Sequence, residues 1–223
     1  MGIDVQEAVR TAGTTGPPVL PDGSRLYNET HPGPERSETG VWIGIFAIVM
    51  SFAAFTSAMI VRQDASLDWR HFELPRLLYA NTLILLISSF TLAWGSNRLR
   101  SVAALSAITS GEGKKSYSEG MSLLQVTLGL GGLFLVGQVL AWRTLAAQGL
   151  FLSTNPSSSF FYVFTAMHGV HLLGGIAGLA YMIRKLAKTN GTARTTGLPA
   201  LSLYWHFMDG LWIYLLVLLM VRT

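Results

Sequence analysis

The chain of 223 residues has no cysteine, and only 13% of it is charged. The first absence excludes disulfides, thiolate zinc sites, iron–sulfur clusters and thiol nucleophiles. The second leaves about half the charge of an average soluble domain, where about 25% of residues are Asp, Glu, Lys or Arg. Hydrophobic residues make up 50%. That surplus is too large for a soluble protein of this size, and so little charge excludes wholesale disorder. The net charge is +4. A basic balance points to nucleic acid or to a membrane surface. Here the apolar content decides for the membrane and against nucleic acid.

Five stretches reach the length of about 20 apolar residues that a bilayer crossing requires. They are Val41–Val61, Leu77–Gly95, Met121–Trp142, Phe160–Ile183 and Leu203–Val221. The first four contain no Asp, Glu, Lys or Arg, and the fifth contains only Asp209. Backbone polar groups in lipid must bond within their own segment, so these stretches are predicted to be helices. The expected fold class is all-α, a polytopic membrane helix bundle with five transmembrane helices and one membrane domain over 41–223. No internal repeat is visible.

Residues 1–40 differ in kind. They carry Gly16, Pro17, Pro18, Pro21, Pro32 and Pro34 among scattered charges of both signs. No apolar core follows a basic start, so they do not read as a signal peptide. They are expected to form an irregular cytoplasmic arm. Asn28-Glu29-Thr30 fits a glycosylation sequon and is read as a chance match. Lys and Arg favour the cytoplasmic side. With the N-terminus inside, the inner segments hold 11 such residues and the outer ones 5. The expected topology is N-terminus cytoplasmic and C-terminus outside. In the connection Ser96–Gly120, the Arg98–Ile108 stretch is expected to be helical in part, and Gly111–Lys115 reads as an exposed turn.

Ionisable groups in hydrocarbon are costly and default to functional candidates. The fourth span has His168 and His171, the fifth has His206 and Asp209, and each pair is spaced to share one helix face. The second span contributes Asn81 and Ser88, seven residues apart and also on one face. Three chemistries compete. A shared haem needs two imidazoles at one depth, but His206 and His171 are expected to differ by about 9–10 Å along the membrane normal. A copper or iron site needs three or more convergent ligands. A proton relay suits a His/Asp set but asks for more carboxylates than one. The reading preferred here is structural: neutral histidines and a carboxylate bonding across helices, with His171 or His206 as partner of Asp209. No catalytic, cofactor-binding or metal-binding residue is assigned. Gly129, Gly131, Gly132, Gly169, Gly174, Gly175 and Gly178 are expected to let helices approach closely. Trp42, Trp94, Trp142, Tyr204, Trp205 and Tyr214 read as an interfacial aromatic belt.

Four blocks of residues, in order, carry a resemblance. Asn81–Thr91, then Gly132–Gln138 with Trp142, then Phe160–Gly175 with its Thr165, His168 and His171, and finally Tyr204-Trp205-His206-Phe207-Met208-Asp209-Gly210-Leu211-Trp212 resemble the common helices of cytochrome c oxidase subunit III. The last two blocks together are specific, and the likeness covers about residues 40–223. Five spans match the short form of that family, which lacks the first two of seven helices. The resemblance implies a non-catalytic subunit of a respiratory, proton-pumping haem–copper oxidase that reduces oxygen to water. It implies a bacterial plasma membrane, association with oxidase subunits I and II, bound phospholipid, and haem and copper held by those partner subunits rather than by this chain. Cytochrome c is the favoured electron donor. A quinol oxidase and a nitric oxide reductase-associated form are the alternatives. A proton-coupled transporter and a membrane cytochrome b are rivals of other classes. Two positions depart from the pattern. Ile48 stands where the family's first common helix carries a buried Glu, and Ala141 and Trp142 follow Gln138 where another Glu is usual.

Overall fold

Helix is the one local structure that satisfies each apolar stretch within lipid, and helix is what all five form. The computed structural model describes residues 36–65, 69, 74–104, 111–188 and 197–222. The helices are α1 (Arg36–Ala65), α2 (Leu77–Ala104), α3 (Gly111–Ala147), α4 (Pro156–Lys188) and α5 (Leu198–Arg222). All five are long and apolar enough to cross a membrane, and no strand occurs among the described residues. Residues 1–35, and with them most of the expected arm and the Asn28 sequon, lie outside the described residues. Arg36–Gly40, expected in that arm, belong to the first turns of α1.

Several helices overrun their apolar cores. α2 continues from Gly95 to Ala104, which makes Arg98–Ala104 helical as expected. Gly111–Lys115, expected as a turn, is instead the start of α3. The extensions persist because they pack on each other. Leu99 lies against Gly120, Arg98 pairs with Glu119, and the Tyr117 hydroxyl donates to the Leu186 carbonyl of α4 at 2.9 Å.

Helix ends follow local chemistry. Pro156 opens α4, where a missing N–H costs nothing, and Ser158 Oγ accepts from the Asn155 N–H at 3.3 Å. α3 stops at a glycine in the left-handed region, Gly149 with φ 79°. The Gly149 N–H donates to the Ala146 carbonyl at 3.0 Å, and the Leu150 N–H to the Leu145 carbonyl at 3.1 Å. This is the paired closure of a Schellman motif. Gly149→Ala is expected to cost about 1–2 kcal/mol, read as a lower thermal midpoint of the detergent-solubilised chain.

α2, α3, α4 and α5 form a closed four-helix ring, each backbone packing on its two neighbours. α1 lies outside the ring on the α4–α5 edge and does not meet α2 or α3. The backbones of α3 and α5 face each other across the ring without close approach. Aromatic rings fill that diagonal, with Phe134 and Trp212 edge to face at 4.9 Å between centroids.

The glycines divide unexpectedly. The close backbone approach is at Gly95 and Gly120, where a Cβ on either would stand 2.8 Å from a leucine carbon and about 3.2–3.3 Å from the other's carbonyl oxygen. Gly129 and Gly132 meet nothing within 4 Å. Gly131 and Gly175 accept ring atoms of Trp205 and Tyr204 rather than another backbone. Gly174 and Gly178 line a groove of about 460 Å³ between α4, α5 and Val41 of α1.

Candidate functional site: the polar interior of the bundle

Asn81 and Ser88 share one buried face of α2, 1% and 0% exposed. The face receives two indoles from α5. Trp205 Nε1 donates to Ser88 Oγ at 3.2 Å, and Trp212 Nε1 donates to Thr82 Oγ1 at 3.0 Å. Further in, Thr91 and Thr127 bond at 2.8 Å and tie α2 to α3. Trp142 Nε1 donates to Thr165 Oγ1 at 3.0 Å and ties α3 to α4. Buried tryptophans seek such partners because an unpaired N–H loses its bond to water. Trp205 is fully buried and so does not belong to an interfacial belt, whereas Trp42 and Trp94 are 57% and 49% exposed.

The histidine and aspartate pairs separate. His168 is sealed between Phe134 of α3 and Trp212 of α5, with ring centroids at 5.9 and 5.1 Å. His171 turns toward Phe52 of α1 at 5.9 Å, and its Nδ1 bonds the Met167 carbonyl at 2.7 Å. Asp209 is 4% exposed, while His206, three residues earlier, is exposed. Residues i and i+3 stand about 60° apart around a helix. That angle sends His168 and His171 to different helices, and it buries Asp209 while leaving His206 exposed.

The expected bond between Asp209 and His171 or His206 does not form. His206 Nδ1 bonds Ser89 Oγ of α2 instead. Ser89 is the polar neighbour of Asp209, but neither Asp209 oxygen gains a hydrogen bond. Among the described residues, no group of three or more His, Asp or Glu is placed to hold a metal ion.

Gln138 belongs to this interior and was not among the expected polar residues. It is 3% exposed and faces inward from α3. Its signal was the stripe Phe134, Gln138, Ala141 and Leu145, spaced four, three and four residues apart along one helix face. Ile48, in contrast, is 7% exposed and packs within the apolar core.

A family model described as Cytochrome c oxidase subunit III matches residues 37–222. The chain belongs to the cytochrome c oxidase subunit III family. It is 29% identical over 203 residues to cytochrome c oxidase subunit 3 of Thermostichus vulcanus, covering 88% of this chain and 92% of that one. It is 28% identical over 198 residues to the probable cytochrome c oxidase subunit 3 of Nocardia farcinica, covering 86% and 91%. It is 29% identical over 192 residues to cytochrome bo(3) ubiquinol oxidase subunit 3 of Pseudomonas aeruginosa, covering 84% and 85%. As a subunit III with five spans, it is a multi-pass membrane protein of an oxidase family. The position where the resemblance called for a buried Glu is part of a continuous apolar wall in this member.

Proposed function

We propose that this subunit III serves a proton-pumping haem–copper cytochrome c oxidase of a bacterial plasma membrane. It carries no redox centre of its own, holds lipid, and braces subunits I and II, which carry haem and copper. The observation that carries the bracing role is His206. Its partner Ser89 lies near the middle of α2, so both sit at hydrocarbon depth. A lipid-facing imidazole there is unfavourable, and intramembrane ionisable groups turn toward protein. His206 is nevertheless exposed on this chain, beside Leu86 and Phe90 of α2 and Ile213 of α5. Gly210, one turn along, leaves open space. A partner subunit covering the α2–α5 face, with a polar group opposite His206, resolves the cost. Phospholipid acyl chains suit the groove of about 460 Å³ floored by Gly174, Gly175 and Gly178.

The chain is naturally free of cysteine, which makes site-directed cross-linking clean. A cysteine at Gly210, treated with a short membrane-permeant cross-linker in native membranes, is expected to capture a core oxidase subunit. A cysteine at Leu133, on the outer face of α3, is expected to capture none. Equal yields at the two sites would remove the α2–α5 interface.

The proposed topology places the N-terminus in the cytoplasm and Arg222 outside. A Lys114 cysteine should then react with an impermeant maleimide only from the cytoplasmic side, and labelling of intact cells from outside would reverse the topology. The Pseudomonas relative favours a second reading, a quinol oxidase subunit. Oxygen uptake by the purified complex separates the two: reduced cytochrome c supports turnover under the first reading, and only quinol under the second.

A further inference from the structure

The groove at Gly174 and Gly178 takes in Val41, near the start of α1. A second cavity, of about 600 Å³, lies near the other end of that helix and has no part in the function proposed above. Its walls come from three places. Ala58 and Arg62 stand near the end of α1, Ser153 and Asn155 in the α3–α4 connection, and Phe160 near the start of α4.

The walls divide by chemistry. Ala58 and the Phe160 ring are apolar. Arg62 brings a permanent positive charge, and Ser153 and Asn155 bring a hydroxyl and an amide that can donate. No acidic side chain lines the cavity. Asp64, two residues along α1, stands about 160° round the helix from Arg62. The loop that carries Ser153 and Asn155 is fixed by its own hydroxyls. Thr154 Oγ1 accepts from the Phe151 N–H at 2.9 Å and donates to the Gly149 carbonyl at 3.1 Å. Ser158 Oγ donates to the Phe151 carbonyl at 2.9 Å.

The cavity sits where a span meets the membrane surface. The first apolar run ends at Val61, one residue before Arg62. Phe151 and Leu152, next to Ser153, are 55% and 56% exposed although they lie in a connection outside the spans. Exposed apolar side chains beside an arginine suit the interface, where one part of a loop meets acyl chains and another meets water. Trp69 packs on Phe160 at 6.2 Å between centroids, and its indole N–H donates to the Arg222 carbonyl at 2.9 Å. Tryptophan is enriched at that level of a membrane protein.

We propose that this cavity binds the headgroup of an anionic phospholipid, with its phosphate on Arg62 and the first part of its acyl chains against Phe160 and Ala58. A guanidinium can bond two phosphate oxygens at once. Ser153 and Asn155 are placed to donate to the others. The arginine matches the single negative charge of phosphatidylglycerol. A choline or ethanolamine headgroup would bring a cation into a cavity that offers it no carboxylate. The site stands whichever end of the bundle faces the cytoplasm, and whether or not the groove at Gly174 and Gly178 holds lipid.

Native mass spectrometry of the full-length chain in mild detergent tests the site, with phosphatidylglycerol or phosphatidylcholine of the same acyl chains as the probe. The chain is expected to hold one phosphatidylglycerol more tightly than phosphatidylcholine. Arg62→Gln should weaken that lipid about five-fold, the worth of one basic residue at an anionic surface. Arg143→Gln, which removes an exposed arginine near the end of α3, should leave it unchanged. Ser153→Trp keeps the charge and fills the cavity, so it should expel the lipid as well. Equal losses at Arg62 and Arg143, retention of the lipid by the Ser153→Trp chain, or no preference over phosphatidylcholine would overturn the site. Displacement of the lipid by millimolar inorganic phosphate would assign the cavity to the free ion and overturn the lipid.

Discussion

Trp205→Ala is expected to destabilise the bundle by about 3–5 kcal/mol, the range for deleting a buried aromatic side chain. The indole is fully buried and serves three walls of the ring at once. Its Nε1 donates to Ser88 of α2, its outer ring edge reaches within 2.9 Å of where a Cβ on Gly131 of α3 would be, and its inner edge lies 3.5 Å from the corresponding point at Gly175 of α4. Gly131 and Gly175, two of the residues it packs on, have no side chain to move into the cavity. Trp205→Phe keeps much of the ring and loses the bond to Ser88, so its cost should fall toward about 1–2 kcal/mol. Reversible unfolding of the chain in mixed detergent measures both. A loss under about 1 kcal/mol for the alanine variant would show that the diagonal between α3 and α5 is held by other residues.

The second large effect changes sign with its partner. Gly137→Ala places a methyl group 2.1 Å from Asn81 Oδ1 and 2.8 Å from Asn81 Cγ and Nδ2. That overlap has to be relieved by displacing the amide or parting α2 from α3, at about 1–3 kcal/mol for overpacking. In an Asn81→Ala background the amide is gone, and Gly137→Ala should then gain up to about 1 kcal/mol from helix propensity. The two substitutions are therefore expected to be strongly coupled in a double-mutant cycle. Additive costs would mean that Asn81 does not occupy the notch at Gly137.

Much of the architecture was legible without coordinates. Runs of about 20 residues lacking charge have one outcome in lipid, and the five spans appear where hydropathy puts them. The inward face of α2 was legible too, because Asn81 and Ser88 interrupt an otherwise apolar helix at a spacing of two turns. The blocks Phe160–Gly175 and Tyr204–Trp212 carried the family. The ends of the spans were less legible. Polar residues beyond the hydrocarbon continue a helix when a neighbouring helix receives them, as Leu99 and Gly120 show, and hydropathy carries no trace of that contact.

The membrane class, the helical spans, the family and the short inventory of polar side chains inside the spans all follow from residue order alone. Which of those side chains meet was decided only by tertiary structure. In a soluble helix the buried face is apolar and the outer face polar, so rotation can be read from the pattern. In a membrane helix both faces are apolar, and that information is lost. Trp205 therefore looked like an interfacial residue and proved to be the centre of the core. Gly129 and Gly132 looked like contact points and face open space, while Gly95, Gly120 and Gly137 are closely approached. His168 and His171 looked like a pair, and so did His206 and Asp209. Rotations of about 60° within each helix sent His168 between Phe134 and Trp212 and His171 toward α1, and buried Asp209 while leaving His206 exposed.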